Sequence, residues 1–223
     1  MQWCRFIIMR YLSPIFIAEV ICFLSALAII WKDKGAFGKV ITCYLAIALV
    51  TEEAAAYLAI RGIHNLWLFN IYIIFEIITI LYGLYHCIKR YINPKPMFSI
   101  GLGIIVITYF FFITNRPFTD LNTITISVMS VIFTLYCLYY YYLLLKDENF
   151  IEIKMHPEFW WVTGVLFYYF GSTMANIFDG LFAIKIIGFV SLKYCIYIVL
   201  NLILYSCWLY SFICRMKQRK LHS

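Results

Sequence analysis

Apolar residues in this chain are gathered into blocks of about twenty, split by short charged or proline-bearing breaks. A helix rises about 1.5 Å per residue, so each block is long enough to cross a hydrocarbon core about 30 Å thick. Seven blocks are present, over about 13–31, 39–60, 66–88, 97–114, 121–145, 159–178 and 186–213. The breaks are chemically distinct. Lys32-Asp33-Lys34-Gly35 ends the first block, and Arg61-Gly62-Ile63-His64-Asn65 ends the second. Pro94 and Pro96 lie between the third and fourth, where a helix cannot continue. Asn115-Arg116-Pro117, the run from Lys146 to Pro157, and Asp179-Gly180 mark the rest. Composition agrees: only 13% of residues are charged and mean hydropathy is +0.88, whereas a soluble domain carries about a quarter charged residues. The pattern predicts one all-α domain, a seven-transmembrane-helix bundle whose first partner is the lipid bilayer.

Charge sets the expected orientation. Arg5, Arg10, Arg61, Arg116 and Lys185 fall on one side of such a bundle. Lys32, Lys34, Lys39, Lys89, Arg90, Lys95, Lys146, Lys154, Arg215, Lys217, Arg219 and Lys220 fall on the other. Basic residues collect on the cytoplasmic side, which predicts an outer N-terminus and a cytoplasmic C-terminus, in a bacterial plasma (inner) membrane. Arg5 and Arg10 before an apolar stretch imitate a signal peptide, but Glu19 interrupts that stretch and no small-residue cleavage pattern follows. It is read as the first membrane helix, preceded by a short interfacial segment. The net charge of +7 is accounted for by these flanks, so no nucleic-acid partner is expected. The eight cysteines show no CxxC or Cys/His ligand spacing, so neither a metal nor a cofactor is expected.

Every predicted loop is short, which places function in the bundle itself rather than in a kinase or nucleotide-binding domain. Ionisable groups inside spans cost about 2.5–3.5 kcal/mol each on insertion scales and normally face an interior or a cavity. Five occur here: Glu19, Glu52, Glu53, Glu76 and Lys193. With the helix directions above, all five lie in the outer half of the membrane, roughly 9–15 Å below the surface. Asn70 and Asn176 fall at similar or shallower levels. Helical spacing aligns Tyr72, Glu76, Thr79, Gly83 and His86 on one face of the third span, and Thr123, Ser127, Ser130, Thr134 and Cys137 on the fifth. Tyr168, Ser172, Asn176 and Asp179 line the sixth span, and Lys193, Tyr197, Asn201 and Tyr205 the seventh. The expected ligand- or ion-binding set is therefore Glu52, Glu53, Glu76, Lys193, Glu19, Asn70, Tyr72, Asn176 and Asn201. Small and hydroxyl side chains on one face also serve helix packing, and a Lys193 bridge to Glu53 or Glu76 is a structural alternative.

Other features read as structural. Tyr82, Tyr85, Tyr139 to Tyr142, Trp160, Trp161, Tyr205, Trp208 and Tyr210 are assigned to an aromatic belt at the cytoplasmic headgroups. The basic run from Arg215 to Lys220 is assigned to anionic lipid. His64 and His156 are placed in solvated loops.

The pair Glu52-Glu53 resembles the glutamates of the CAAX-processing type of intramembrane protease. That family carries an arginine four residues after the second glutamate, where this chain has Tyr57. His86 imitates its histidine element but is placed about 15 Å deeper than Glu53. Lys193 on the last span is similar in position to the Schiff-base lysine of retinal-binding rhodopsins. The leading expectation is a non-enzymatic sensor or receptor-like subunit. It binds a small or cationic ligand in the acidic pocket and relays to a cytoplasmic signalling partner or a second copy of the chain. A proton- or cation-coupled transporter or channel using the same carboxylates is the alternative, and a glutamate-dependent hydrolase the third reading.

Overall fold

The computed structural model describes residues 13–30, 35–148, 152–178, 185–187 and 190–221. The segment before residue 13 and Asp179, both assigned roles from sequence, lie outside them. Among the described residues the chain forms seven α-helices and a short 3-10 turn, Ile153–Met155. The α-helices are α1 (Pro14–Ser25, continued by a π-helical turn, Ala26–Ile30), α2 (Ala36–Ile60), α3 (Leu66–Ile88), α4 (Lys95–Asn115), α5 (Thr123–Lys146), α6 (Pro157–Ile177) and α7 (Leu192–Leu221). Five of them, α2, α3, α4, α5 and α7, are long and apolar enough to cross a membrane, and Pro14–Ile30 is apolar but shorter.

The ends are set by local chemistry. Proline occupies the first turn of α1, α4 and α6, where its missing N–H would have no helical partner. Asn122 caps α5 by accepting the Thr125 N–H at 3.0 Å. Gly62, at φ 72°, turns the chain out of α2, a conformation that favours glycine.

The last helix departs from expectation at both ends. Lys185–Ile187 and Val190–Ser191 pair as short antiparallel strands, so α7 starts at Leu192 rather than near 186. Ile186, Ile187 and Val190 are β-branched and flank Gly188, a composition that favours extended backbone. At its far end α7 runs on to Leu221, through Arg, Met, Lys and Gln, all good helix formers. Part of this tail is tied back onto the protein. Arg215 meets Glu158 at 3.1 Å, Gln218 donates to the Met155 carbonyl, and Arg219 donates to the Ile29 carbonyl. Lys217 is exposed.

Helix α1 packs against α7 and α2, α2 against α3, α3 against α5, α5 against α6, and α6 against α7. These contacts close a ring of six helices. Helix α4 packs chiefly on α5 and turns Ile100, Ile107, Phe110 and Phe111 outward, as suits a helix facing an apolar medium.

The middle of the ring is filled by aromatic rings, including several that the sequence reading assigned to the headgroup belt. Trp161 and Trp208 are fully buried and stacked at 5.7 Å, and Tyr140 and Tyr205 are buried as well. A β-carbon at Gly83 would collide with the Trp161 ring, so this glycine opens the notch that admits the indole. An inward notch of that shape buries more of the ring than an interface would. His156, expected in solvent, is also buried, and its Nδ1 accepts the Phe159 N–H at the start of α6.

Candidate functional site

Above the tryptophan pair the ring helices line a partly open cavity of about 430 Å³. Each ring helix contributes wall residues. Glu19 comes from α1, Thr51 and Glu52 from α2, Glu76 from α3, Ser130 from α5, Tyr169 from α6 and Asn201 from α7. The polar groups share one level. Glu19 lies five residues in from Pro14, Glu52 eight from Ile60, Glu76 ten from Leu66, and Asn201 nine from Leu192. At about 1.5 Å per residue that is roughly 8–15 Å from one end of the bundle. Glu19 is fully buried, Glu76 is 8% exposed, and Glu52 is half-buried.

Tyrosines make up much of the remaining wall: Tyr44, Tyr72, Tyr168, Tyr169, Tyr197 and Tyr205, with Phe69 and Trp208. Their hydroxyls join neighbouring helices. Tyr169 donates to Glu76 Oε1 at 2.7 Å, linking α6 to α3. Tyr72 donates to the Tyr44 hydroxyl at 2.6 Å, linking α3 to α2. Tyr197 donates to Asn176 Oδ1 at 3.2 Å and lies 3.2 Å from Ser172 Oγ, linking α7 to α6. Hydrogen bonds of this kind lower the cost of burying each polar group, and the first of them fixes the position of the Glu76 carboxyl. None of the described residues in the wall is Lys or Arg.

Five of the nine residues singled out from sequence meet on this cavity: Glu19, Glu52, Glu76, Tyr72 and Asn201. The other four are placed elsewhere. Glu53 is half-buried and outside the wall, because Thr51 and Glu52 already span about 100° of α2 and Glu53 lies about 100° further round. Lys193 lies one turn nearer the end of the bundle than Tyr197, also outside the wall. Asn176 stands behind it as the acceptor for Tyr197. Asn70 serves another purpose. Its Nδ2 donates to the Phe118 and Asp120 carbonyls at 2.8 and 2.7 Å, and its Oδ1 accepts the Asn122 N–H at 3.0 Å. It is a latch for the loop between α4 and α5.

The sequence reading missed Tyr44, Tyr169 and Thr51, which belong to none of its stripes. It assigned Trp208 to the membrane interface. The signal available for Tyr169 was its place beside Tyr168, since adjacent tyrosines on one helix can both reach a shared cavity from either side of its axis.

An acidic, aromatic hollow of this kind suits two tasks. It can hold a cation, through carboxylate charge and the negative faces of the rings, or pass protons along hydroxyl and carboxyl groups. Comparison with protein-family models, curated proteins and solved structures found no match.

Proposed function

We propose that this chain is a seven-span integral membrane protein, N-terminus outside, that binds a small organic cation in the cavity between its helices and signals occupancy to a cytoplasmic partner. The observation that carries the reading is the convergence of Glu19, Glu52 and Glu76, from three helices, on one hollow walled by eight aromatic rings. Burying carboxyl groups together is costly, and a bound cation offsets that cost, while the rings supply cation–π attraction of about 0.5–2 kcal/mol each. The asymmetry of basic residues supports an orientation with this cavity in the outer half of the bilayer, where a ligand would arrive from outside. Tyr169, Tyr72 and Tyr197 each connect two helices at the wall, so a ligand that displaces their hydrogen bonds alters helix packing. That change in packing is what a partner at the cytoplasmic ends reads.

The test uses full-length protein in a neutral detergent, with choline and tetraethylammonium as probes and the neutral carbon isostere of choline as control. A site of this kind gives a concentration-dependent rise in Tm with the cations only, lost in Glu52→Gln and Glu76→Gln. No rise with any cation, or the same rise in both variants, overturns the reading. Cation or proton flux in reconstituted vesicles that vanishes in the same variants favours the transporter alternative instead.

A further inference from the structure

A second cavity, of about 280 Å³, lies at the opposite end of the bundle, between the end of α3, the turn after it, α5 and the start of α6. It is separated from the acidic cavity by the Trp161–Trp208 stack and by Phe37, which stacks on His86 at 4.7 Å and meets Trp161 edge-on. Four polar atoms of residues on its wall are buried with no hydrogen-bond partner: His86 Nδ1, Tyr91 Oη, Tyr140 Oη and His156 Nε2. Two of these side chains are more than nine-tenths buried, Tyr140 at 0% and His156 at 7% exposure. A buried polar atom left unpaired costs about 1–3 kcal/mol. All four belong to residues that line the same hollow, so small side-chain rotations would offer them to a polar occupant there. The cavity is also many times the ~30 Å³ share of one water, so a single solvent molecule does not fill it.

The chemistry of the wall identifies the class of occupant. His156 Nδ1 accepts the Phe159 N–H at 3.2 Å, which leaves the ring proton on Nε2 as a donor. Burial lowers the affinity of this ring for a second proton; Glu158 opposes that, and Arg90 and Arg215 reinforce it. The ring thus stays neutral, with an unpartnered Nε2–H on a residue of the wall. Burial holds the Tyr91 phenol protonated and a donor. Lys89 and Arg90 are exposed at the rim, and Arg215 neutralises Glu158, the acid on the wall, at 3.1 Å. Donors inside, two cations at the mouth and a neutralised acid form a receptor for a compact oxyanion.

We infer that this cavity binds a phosphate group, donated either by the headgroup of an anionic phospholipid or by a soluble phosphorylated compound. Tyr140, Tyr91 and His156 Nε2–H donate to its oxygens, and Lys89 and Arg90 supply the balancing charge. The site shares no wall residue with the acidic cavity, so it stands whether or not that cavity binds cations.

The experiment measures thermal stability of full-length protein in neutral detergent against inorganic phosphate, and separately against mixed micelles containing phosphatidic acid or phosphatidylcholine. The variants are Tyr140→Phe and His156→Asn, the latter keeping an acceptor for the helix cap. Inorganic phosphate or phosphatidic acid raises Tm in the native protein, phosphatidylcholine does not, and each variant weakens the apparent affinity roughly tenfold. A response to phosphatidic acid alone assigns the occupant to lipid, and a response to both assigns it to the phosphate group as such. Without ligand, Tyr140→Phe is as stable as the native protein or more so, since it deletes an unpaired hydroxyl. Should Tyr140→Phe fail to fold, Tyr91→Phe and the exposed Arg90→Gln give the same comparison. No stabilisation by either probe, or an equal rise in every variant, which is the mark of a general salt effect, overturns the inference and leaves a hydrated void.

Discussion

The Tyr169 hydroxyl donates to Glu76 Oε1 at 2.7 Å, joining α6 to α3 through a carboxyl group that faces the cavity. Tyr169 also packs edge-on against Phe133 at 4.9 Å, so Tyr169→Phe keeps the ring and deletes the donor alone. The variant is expected to unfold about 1–3 kcal/mol more easily, the cost of leaving a buried acceptor unpaired. A double-mutant cycle with Glu76→Gln, read by thermal unfolding in detergent, isolates the pair. Its two single effects are expected not to add, and strict additivity would mean that the bond contributes nothing.

Gly83 and Trp161 supply a packing test at the centre of the bundle. A methyl group at residue 83 would collide with the indole, whereas Gly103 has open space where its β-carbon would go. Gly83→Ala is therefore expected to lose about 1–3 kcal/mol through overpacking, despite the better helix propensity of alanine. Gly103→Ala is expected to be neutral or slightly stabilising. Equal Tm values for the two variants would contradict the packing of Trp161 into this notch.

Much of the helical architecture is legible in the sequence, because block length and the breaks at Lys32–Gly35 and Pro94–Pro96 are one-dimensional features. Periodicity also aligns Tyr72 with Glu76, and Tyr197 with Asn201, on single faces. It does not say which face of one helix meets which face of the next. That is why Glu53 was grouped with Glu52, and why Tyr169 was passed over. Trp161 and Trp208 show a related limit: near a helix end, an interfacial and a buried tryptophan have the same sequence. Asn70 looks like a ligand residue by depth, and only the fold of residues 116–122 reveals what it holds.

Asn70→Ala removes three hydrogen bonds to the α4–α5 connection at once. At about 0.5–1.5 kcal/mol each, the expected loss is ~2–4 kcal/mol, concentrated in that loop. Hydrogen exchange should therefore rise first over residues 116–122, with little change in α6 and α7. Cation binding in the acidic cavity should survive in Asn70→Ala protein that remains folded, because Asn70 is not part of its wall. Loss of binding with an unperturbed loop would return Asn70 to the site.

His156 gives the protein a pH dependence whose sign follows from its burial. Its pKa in the folded state is lowered, by desolvation first, with Glu158 opposing and with Arg90 and Arg215 adding to the shift, while in the unfolded chain it titrates near the ordinary histidine value of about 6.5. Between those two values the unfolded chain binds a proton that the native state does not, so stability rises with pH across that window. The contribution is fully present above about pH 6.5 and is lost as pH falls towards the folded-state pKa. Protonation also sets a cationic ring against the Phe159 N–H that Nδ1 accepts, which weakens the cap of α6. His156→Asn keeps a capping oxygen and removes the titration. Its stability profile should therefore be flatter than that of the native protein below pH 6.5, by up to about 1.4 kcal/mol per pH unit. Parallel profiles for the two proteins would show that His156 is solvated and titrates alike in both states.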